Sequence, residues 1–463
     1  MAKLKATMFR EYDIRGRVSE EELNAKSVEI IARGYGMMLR NRGIGKAVVG
    51  HDYRDCSEEF KEAFIKGITS AGVDVIDLGM VLTPMLYSAQ YYYRCEGGAM
   101  ITASHNPKGW SGFKLALGYS HTLTPKEIKE LYSIITKENF ASGEGEVKKE
   151  SYFEAYTKDL LSRVRIYRKL KVVVNTGNGT PGAFLSEILR RAGCEVIELN
   201  TELNCDFPKY YPNPSKVEMM EETASFTVEN KADIGMAFDG DGDRLGACDD
   251  KGRIVWADRW LILLSRLVLQ ELPGAKIIFD VKCSQALEDE IVKHGGKPIM
   301  WKTGHSYIKA KLHEENAPLA GEMSGHIFFG KPYYYGFDDA CFAALKLLEY
   351  LSSQEKTFSE LIDSTPYYVS TPTLHAHCPD EVKYDVISKI TQEFKREGYE
   401  VIDINGARVK FKDGWGLVRA SSNLPVLVLR FEAKSKERLK EIMDIFKEKL
   451  SKFPEVSQDW ESG

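Results

Sequence analysis

The sequence predicts an α/β protein of four domains, with three related mixed-sheet α/β domains followed by a C-terminal α+β domain. Its 463 residues, 43% hydrophobic and 28% charged, suit three or four domains at about 100–200 residues each. A strand–helix–strand unit recurs three times, and the pattern changes after Tyr368. A single large α/β sheet is the alternative, but the similar spacing between the strands of the three units favours separate domains.

The three repeated units share one order of elements, in which a helix and a glycine stop lie between two apolar strands. Their strand, helix and strand are predicted at 47–50, 58–68 and 73–78, then at 171–174, 184–191 and 194–199, and then at 276–279, 286–293 and 297–301. The remainder reads as a strand, a helix over 380–397, strands within 401–411 and 424–431, and a helix over 436–450. That order is typical of an α+β domain.

Polar, glycine-bearing or proline-bearing stretches set the predicted domain boundaries. A polar segment at 137–149 suits a linker, and two Ser-Thr-Pro turns precede the last domain. Each α/β unit also ends near a stretch rich in reactive side chains, which indicates that the domains direct their loops into one central cleft. The predicted domains span 1–148, 149–250, 251–367 and 368–463, and each carries one of the four polar loops described next.

Composition excludes several classes of partner and location. The formal net charge of −5 and the lack of a basic run argue against nucleic acid as a main partner. The first residues contain no apolar leader, and no window approaches the roughly 20 apolar residues of a membrane span. The eight cysteines are scattered without zinc-site spacing, as in a reducing compartment. We therefore expect a cytoplasmic protein that does not bind membranes.

The segment Thr102-Ala103-Ser104-His105-Asn106-Pro107-Lys108-Gly109 places a hydroxyl at the end of a short predicted strand, where sites of α/β sheets usually lie. Lys114 follows within reach of the same loop. A hydroxyl with a nearby His and Lys suits a phosphoryl acceptor, since the Lys offsets charge on the phosphate oxygens. On these residues alone, an ordinary solvated Ser-Asn-Pro turn is the competing interpretation.

Three aspartates, Asp239, Asp241 and Asp243, alternate with glycine between two predicted strands. Their carboxylates would repel one another unless a cation neutralised them, and the glycines let the backbone curl so that they converge. An EF-hand does not fit, because its sixth loop position requires glycine and Arg244 stands there. Hard oxygen ligands favour Mg²⁺ over zinc. A solvated acidic turn is the structural alternative.

Two later segments offer polar groups suited to a sugar. In Gly321-Glu322-Met323-Ser324-Gly325-His326, alternate side chains of an extended segment share one face, so Glu322, Ser324 and His326 can act together. A carboxylate accepts hydrogen bonds from adjacent sugar hydroxyls. Lys282 and His305 follow two strands of the third unit. A polar turn and a structural histidine are the alternatives for these segments.

A further loop near the C-terminus combines an arginine, two hydroxyls and an amide in a turn before a strand, at Arg419, Ser421, Ser422 and Asn423. Arginine binds phosphate bidentately, and small polar groups donate to the remaining oxygens. The loop therefore suits a phosphate that is held without being transferred. At the N-terminus, Tyr12 and Arg15 lie beside a glycine turn, which is a weak signal because surface Arg-Tyr clusters are common.

Several of these motifs together resemble the α-D-phosphohexomutases. TASHNPKGWSGFK is similar to that family's active-site serine segment, and DGDGDR, GEMSGH, the Lys302–Ser306 loop and the Arg419 loop follow in family order. The resemblance covers essentially the whole chain and implies four domains around a central cleft. It also implies reversible phosphoryl transfer between C1 and C6 of mannose and glucose phosphates, through a phosphoserine and a 1,6-bisphosphohexose. Ser111, Ser422 and Asn423 depart from the family pattern.

The resemblance implies roles for individual residues. It assigns catalysis to Ser104, His105, Lys114, Arg15 and His326, and metal binding to Asp239, Asp241, Asp243 and the Ser104 phosphate. It assigns substrate binding to Tyr12, Arg244, Lys282, His305, Glu322, Ser324, Arg419, Ser421, Ser422 and Asn423. The implied cofactors are Mg²⁺ and a hexose 1,6-bisphosphate activator, and the implied assembly is a monomer or small homo-oligomer.

Three other functions compete with this one. A phosphoglucosamine mutase more often has Glu-Gln-Ser where this chain has Glu322-Met323-Ser324. A phosphatase would pass the phosphate to water, and a non-catalytic sugar-phosphate binding protein would need neither Ser104 nor a metal. Two phosphate positions, one covalent and one non-covalent, favour a mutase over both.

Overall fold

The structure is a computed structural model that describes residues 4–137, 140, 142–421 and 424–462. The chain forms two compact units, the first from residues 1–257 and 324–359 and the second from residues 258–323 and 360–463. Within the described ranges, every helix is too short or too polar to cross a lipid bilayer.

The first unit begins with a six-stranded mixed sheet. Its strands, in spatial order, are Ile14–Arg17, Trp110–Leu117, Gly97–Ile101, Lys46–His51, Asp74–Met80 and Val147–Lys149. The first three pair antiparallel and the rest parallel. The central strands are buried along almost their whole length, as expected for a sheet covered on both faces.

Helices cover this first sheet. They are Ala25–Arg40, Ser57–Ser70, Thr83–Tyr92 and Pro125–Lys137, with a short 3-10 turn at Ala6–Met8. The side chain of Asn24 accepts from the Ser27 amide and completes a capping box at the first helix. After Ser70, Gly72 adopts the left-handed conformation that ends a helix, so the predicted glycine stop is confirmed.

A second sheet in the same unit contains five strands, in the order Ile254–Val255, Leu245–Asp249, Ile234–Phe238, Lys171–Asn175 and Glu195–Leu199. Its helices are Phe153–Leu161, Leu185–Arg191 and Val217–Glu229, with a 3-10 turn at Thr180–Ala183. The unit also contains the strand Ile327–Phe329 and the helix Ala340–Ser352. The two sheets extend slightly past the predicted boundaries, because Val147–Lys149 pairs into the first and Ile254–Val255 into the second.

The second unit contains parallel strands at Lys297–Trp301, Lys276–Asp280 and Leu319–Gly321. The α-helices of this part of the chain are Ala257–Glu271, Gln285–Lys293, His305–Glu315 and Phe358–Asp363. The third predicted strand–helix–strand unit is therefore confirmed, as are the first two. Its parallel strands all end at one edge, which collects the residues that follow them.

The C-terminal part of the second unit is an α+β domain with two helices, as the sequence predicts, and its sheet is antiparallel. Its strands are Glu400–Ile402, Ala407–Phe411, Gly414–Ala420, Val426–Ala433, Leu374–His377 and Glu461–Ser462 in spatial order, with Val369–Ser370 paired to Val426–Ala433. The helices Lys383–Arg396 and Lys436–Leu450 contribute Phe394 and Phe446, whose ring centroids lie 4.8 Å apart in the core. The core holds the strand that carries Arg419 in place.

Candidate active site

Ser104 lies in a buried loop after the strand Gly97–Ile101. Only 2% of its surface is exposed, and its backbone adopts a φ of 51°, which is uncommon for a residue other than glycine. The Ser104 amide donates to Thr102 Oγ1 at 2.8 Å. The Ser104 hydroxyl donates to Asp239 Oδ2 at 2.7 Å and lies 3.0 Å from His105 Nδ1. The strained backbone thus points the hydroxyl at the acidic loop.

The acidic loop connects two antiparallel strands, Ile234–Phe238 and Leu245–Asp249. Asp239 Oδ1 accepts hydrogen bonds at 3.1 Å from the amides of Gly242, Asp243 and Arg244, which curls the loop around this carboxylate. A Cβ atom at Gly240 would lie 2.3 Å from the Ser104 carbonyl oxygen. Glycine is therefore required for the two loops to approach each other.

The three aspartates of this loop form a cluster that fits a divalent cation. Asp239, Asp241 and Asp243 are fully buried, with ligand atoms within 4.8 Å of one another. Among the described residues, the Oδ1 atoms of Asp241 and Asp243 have no hydrogen-bond partner. Burial, and then the charges of Asp243 and Asp241, raises the pKa of Asp239 well above its usual range. Such a carboxylate ionises fully only when a positive charge joins the cluster.

Lys114 supplies part of that positive charge. Its Nζ donates to Asp241 Oδ2 at 2.7 Å and contacts Asp243 Oδ2. Burial alone would lower the pKa of Lys114, but Asp241 and Asp243 raise it well above the ordinary value, so the side chain is an ammonium ion. One ammonium against three carboxylates leaves an excess of negative charge in a buried space. The donor set of hard oxygens therefore suits a metal ion such as Mg²⁺.

His105 is held neutral beside Ser104. Burial lowers its pKa well below 6.5, and the positive charges of Arg244, Arg15 and Lys114 lower it further. Arg15 lies on the strand paired to Trp110–Leu117, and its Nη1 donates to Asn106 Oδ1 at 2.7 Å. The structure thus brings the predicted Arg15, His105 and Lys114 to the Ser104 loop.

His326 and Arg244 also meet in the first unit. Arg244 Nε donates to His326 Nε2 at 2.9 Å, and His326 Nδ1 lies 3.0 Å from Asp338 Oδ2. His326 Nε2 is thus a hydrogen-bond acceptor, and its Nδ1 faces the carboxylate of Asp338. Asp338, which is fully buried, is a site residue that sequence reasoning missed. Its position after an aromatic run gave no signal of a catalytic role.

The remaining predicted residues of the first unit lie near these groups in the chain. Tyr12 is half-buried just before the strand that carries Arg15. Ser324 is half-buried, and its carbonyl accepts from Ser215 Oγ at 3.4 Å. Ser111 is buried on its strand opposite Gly16. Ser111, which departs from the family pattern, thus lies in the sheet that supports the serine loop.

The second unit carries Lys282, His305 and Glu322 at the ends of its parallel strands. Glu322 is buried and accepts from the Gly304 amide at 2.6 Å, which places it beside the start of the helix that His305 begins. Lys282 Nζ lies 3.6 Å from Asp280 Oδ2, a buried carboxylate that also accepts from Thr303. The second unit therefore brings together the side chains predicted to bind a sugar in the third repeat.

Arg419 lies near the end of the strand Gly414–Ala420 and is 6% exposed. Ser421 Oγ accepts from the Leu424 amide at 3.2 Å, and Lys383 Nζ donates to the Ser421 carbonyl at 2.5 Å. Lys383 thus supports this loop from the neighbouring helix, and nothing in its local sequence indicated that. The predicted Ser422 and Asn423 lie outside the described residues.

Models of four domains of one family match the chain in succession. They describe the phosphoglucomutase/phosphomannomutase alpha/beta/alpha domains I, II and III, at residues 6–142, 150–252 and 256–368, and the C-terminal domain at residues 376–449. The chain belongs to the phosphoglucomutase/phosphomannomutase family. The fold class predicted from sequence is thereby confirmed, and the chain is an enzyme, a phosphohexomutase.

Relatives of this mutase match it over nearly its whole length. A phosphomannomutase/phosphoglucomutase from Pseudomonas putida is 41% identical over 449 residues, which cover 97% of this chain and 96% of the relative. A phosphoglucomutase from Neisseria gonorrhoeae is 40% identical over 460 residues, which cover 98% and 99%. The crystal structure of a family protein from Burkholderia thailandensis superposes with a TM-score of 0.91 at 38% identity, covering 97% of this chain and 98% of that one.

Proposed function

We propose that this mutase interconverts the 1-phosphates and 6-phosphates of mannose and glucose, with Ser104 as the phosphoryl carrier. The observation that carries the proposal is the buried Ser104 hydroxyl, 2.7 Å from a carboxylate of the acidic cluster. A phosphate on this oxygen would place its negative charge beside three buried aspartates. Because Ser104 is itself buried, we expect little access of water to that phosphate. Such an arrangement serves transfer between bound groups better than hydrolysis.

In the proposed reaction, the bond between phosphorus and Ser104 Oγ breaks as a substrate hydroxyl bonds to phosphorus. The hydroxyl proton passes to a base, for which we propose His326 through its acceptor atom Nε2, while Lys114 and Arg15 stabilise charge on the phosphoryl oxygens. His105 hydrogen-bonds the serine oxygen that is released. The 1,6-bisphosphohexose then turns around and returns its other phosphate to Ser104.

Asp239, Asp241 and Asp243, with an oxygen on Ser104, would hold Mg²⁺. The metal would supply Lewis-acid stabilisation of the phosphoryl group. The chain's own contribution is to keep the three carboxylates close together by the amide hydrogen bonds to Asp239. We also propose a hexose 1,6-bisphosphate as activator, since it would restore the phosphate to an unphosphorylated Ser104.

Recognition of the substrate is proposed to use two sets of side chains. One set would bind the sugar hydroxyls and the other the phosphate that is not being transferred. The first comprises Tyr12, Arg244, Lys282, His305, Glu322 and Ser324, and the second comprises Arg419, Ser421, Ser422 and Asn423. The burial of Glu322 and Arg419 supports this division, because a polar side chain is rarely buried unless it has polar partners to bind.

The phosphoglucosamine mutase alternative has less support. The full-length relatives described above are named for phosphomannomutase and phosphoglucomutase activity. In addition, Met323 occupies the position at which phosphoglucosamine mutases more often have a glutamine. All eight cysteines are free thiols, which fits the cytoplasmic location that we propose for an enzyme of hexose phosphates.

Side-by-side assays test the proposed function. Mannose 1-phosphate, glucose 1-phosphate and glucosamine 1-phosphate should each be supplied with Mg²⁺ and glucose 1,6-bisphosphate. We expect conversion of the first two to their 6-phosphates at comparable kcat/KM, and weak conversion of the third. A clear preference for glucosamine 1-phosphate would instead establish the alternative, and release of inorganic phosphate as the main product would establish a phosphatase.

A further inference from the structure

Arg54 contacts the Ser104 loop without touching any group proposed to react. It follows the strand Lys46–His51, which pairs in parallel with Gly97–Ile101 so that His51 lies opposite Ile101. The two strands end side by side, and the Asp52 amide donates to the Ile101 carbonyl at 3.0 Å. The chain after the first strand must therefore run beside the loop that carries Ser104.

The Arg54 guanidinium binds this loop through its backbone. Nη2 donates to the carbonyls of Ser104 at 2.9 Å and Asn106 at 2.7 Å. Nη1 donates to the carbonyls of Pro107 at 3.0 Å and Trp110 at 3.4 Å. One planar side chain thus binds four backbone carbonyls between residues 104 and 110. A lysine ammonium, which has three donors on a single atom, cannot reproduce this arrangement.

Asp52 fixes both the arginine and the upstream end of the same loop. Its Oδ2 accepts from Arg54 Nε at 3.2 Å, from Thr102 Oγ1 at 2.7 Å and from the Ala103 amide at 3.2 Å. Its Oδ1 accepts from Ser57 Oγ at 2.6 Å, at the start of the next helix. Asp52 and Arg54 thus hold the loop on both sides of Ser104.

The environment of Arg54 makes these contacts rigid. Its side chain is 5% exposed, and its guanidinium carbon lies 5.3 Å from the centroid of the Phe207 ring. A buried arginine whose donors are all matched to acceptors retains one geometry, since losing a bond would leave a charged donor unsatisfied. Arg54 therefore cannot move independently of the loop.

The position of the Ser104 carbonyl determines where its hydroxyl points. This carbonyl is bound by Arg54 on one side and lies against Gly240 on the other, where a Cβ atom would come within 2.3 Å. The left-handed φ of 51° at Ser104 costs free energy and persists only where surrounding contacts impose it. The Arg54 bonds to the carbonyls of Ser104 and Asn106 are two such contacts.

We propose that Arg54, oriented by Asp52, is a positioning residue for phosphoryl transfer, which fixes the strained Ser104 loop so that Oγ faces the acidic cluster. The inference rests on the proposed role of Ser104 as phosphoryl carrier. Because Arg54 binds the Ser104 loop only through backbone carbonyls, it acts on turnover through Ser104 and leaves substrate affinity nearly unchanged.

Steady-state kinetics of Arg54→Lys and Arg54→Ala test the proposal. We expect kcat for mannose 1-phosphate to fall by about 10- to 100-fold in Arg54→Lys, while KM stays within about threefold, because a displacement of the reacting group on the order of 1 Å has that effect. The matched control is Arg163→Lys. Arg163 is a half-buried arginine of the same unit that donates to Asp159 and to the Tyr333 carbonyl, and its variant should keep kcat within about twofold.

Chemical rescue provides a readout that a general loss of stability would not change. Addition of methylguanidinium to Arg54→Ala should restore part of kcat, whereas an equal concentration of methylammonium should not, since only the planar cation matches the four carbonyls. Melting temperatures of all variants should be recorded in parallel. If Arg54→Lys and Arg54→Ala both fail to fold, Arg54 is a folding residue and the proposal is wrong.

Two results separate this inference from the proposed function. If the wild-type protein neither takes up phosphate on Ser104 nor interconverts hexose phosphates, the proposed function itself fails. If the wild type is active and Arg54→Lys retains its kcat, or loses affinity in place of turnover, only the positioning role of Arg54 is overturned.

Discussion

At the residue scale, the chemistry of the site depends on charges that are buried together. Asp239, Asp241 and Asp243 are fully buried around one lysine, and the Ser104 hydroxyl donates into the cluster. Removing charge from the cluster therefore changes both the metal affinity and the position of the serine. Burial and nearby positive charges keep His105 neutral beside the Ser104 hydroxyl, where it can exchange a proton with that oxygen.

We expect Asp241→Asn to reduce kcat by roughly 100-fold or more, with a smaller effect on KM. Asp241 is bound by Lys114 Nζ and by Thr83 Oγ1 at 2.6 Å, so an amide would lose the ammonium contact as well as a metal ligand. Steady-state kinetics across a Mg²⁺ titration will measure the effect. Full turnover of the wild type after exhaustive chelation would show that the cluster does not hold an essential metal.

Arg419→Ala should weaken substrate binding far more than Ser421→Ala. Charge-assisted bonds to phosphate contribute about 1.5–3 kcal/mol each, whereas a neutral hydroxyl contributes on the order of 1 kcal/mol. Ser421 Oγ is moreover already an acceptor for the Leu424 amide. We expect KM to rise by about 10- to 100-fold in the first variant and by several-fold in the second. Equal effects would indicate that the phosphate is bound elsewhere in this loop.

At the scale of elements, two loops from different sheets of the first unit must approach closely for Ser104 to reach Asp239. Gly240→Ala should lower kcat by about 10- to 100-fold, because its Cβ would lie 2.3 Å from the Ser104 carbonyl oxygen and force the loops apart. Gly45→Ala is the matched control, since no heavy atom lies within 4 Å of its added Cβ. Kinetics and melting temperature of both variants test this, and an unaffected Gly240→Ala would contradict the close approach.

The helix Ala340–Ser352 contains a pH-dependent N-cap. Asp339 is buried and accepts from the Phe342 amide and from the hydroxyls of Tyr156 and Tyr334, and burial raises its pKa to about 6 from the usual 3.8. A raised folded-state pKa means that the folded protein binds this proton more tightly than the unfolded chain. The stabilisation from Asp339 is therefore greatest at low pH and is lost as pH rises through about 6.

Asp339→Asn removes this titration. As the pH falls from 6 to 5, we expect protonation of Asp339 to raise the free energy of unfolding of the wild type by about 1 kcal/mol, a change that the variant lacks. Urea unfolding of both proteins at several pH values will reveal the difference in slope. Parallel pH dependences for the two proteins would show that Asp339 does not titrate in this range.

At the scale of the whole molecule, the sequence was sufficient for features that depend on local patterns. The three strand–helix–strand units, the C-terminal α+β domain and the short motifs around Ser104 and Asp239 were all predicted, because each is encoded by adjacent residues. The residues that hold these motifs in place were not predicted. Arg54 meets the serine loop from 50 positions away, and Lys383 reaches Ser421 across 38 positions, so only the pairing of distant strands and helices reveals them.

The difference between the motifs that were predicted and the supporting residues that were not has a physical origin. A reactive group needs a particular side chain, whereas its support needs only a donor or acceptor at the right place, which many residues in many segments can supply. Asp338 illustrates this, because a carboxylate beside aromatic residues becomes a partner of His326 only once the chain has turned back. Tertiary contacts determine such roles, and local propensity carries no information about them.

One measurement tests the central claim that Ser104 carries the phosphoryl group. Wild-type protein should be incubated with glucose 1,6-bisphosphate that carries radioactive phosphate, and then separated from the free sugar phosphates. The labelled protein should be mixed with unlabelled mannose 1-phosphate in a single turnover. We expect the label to reside on the Ser104 peptide first and to appear next in a mannose bisphosphate, and Ser104→Ala should take up none. Active turnover without any label on Ser104, or release of the label only as inorganic phosphate, would contradict the claim.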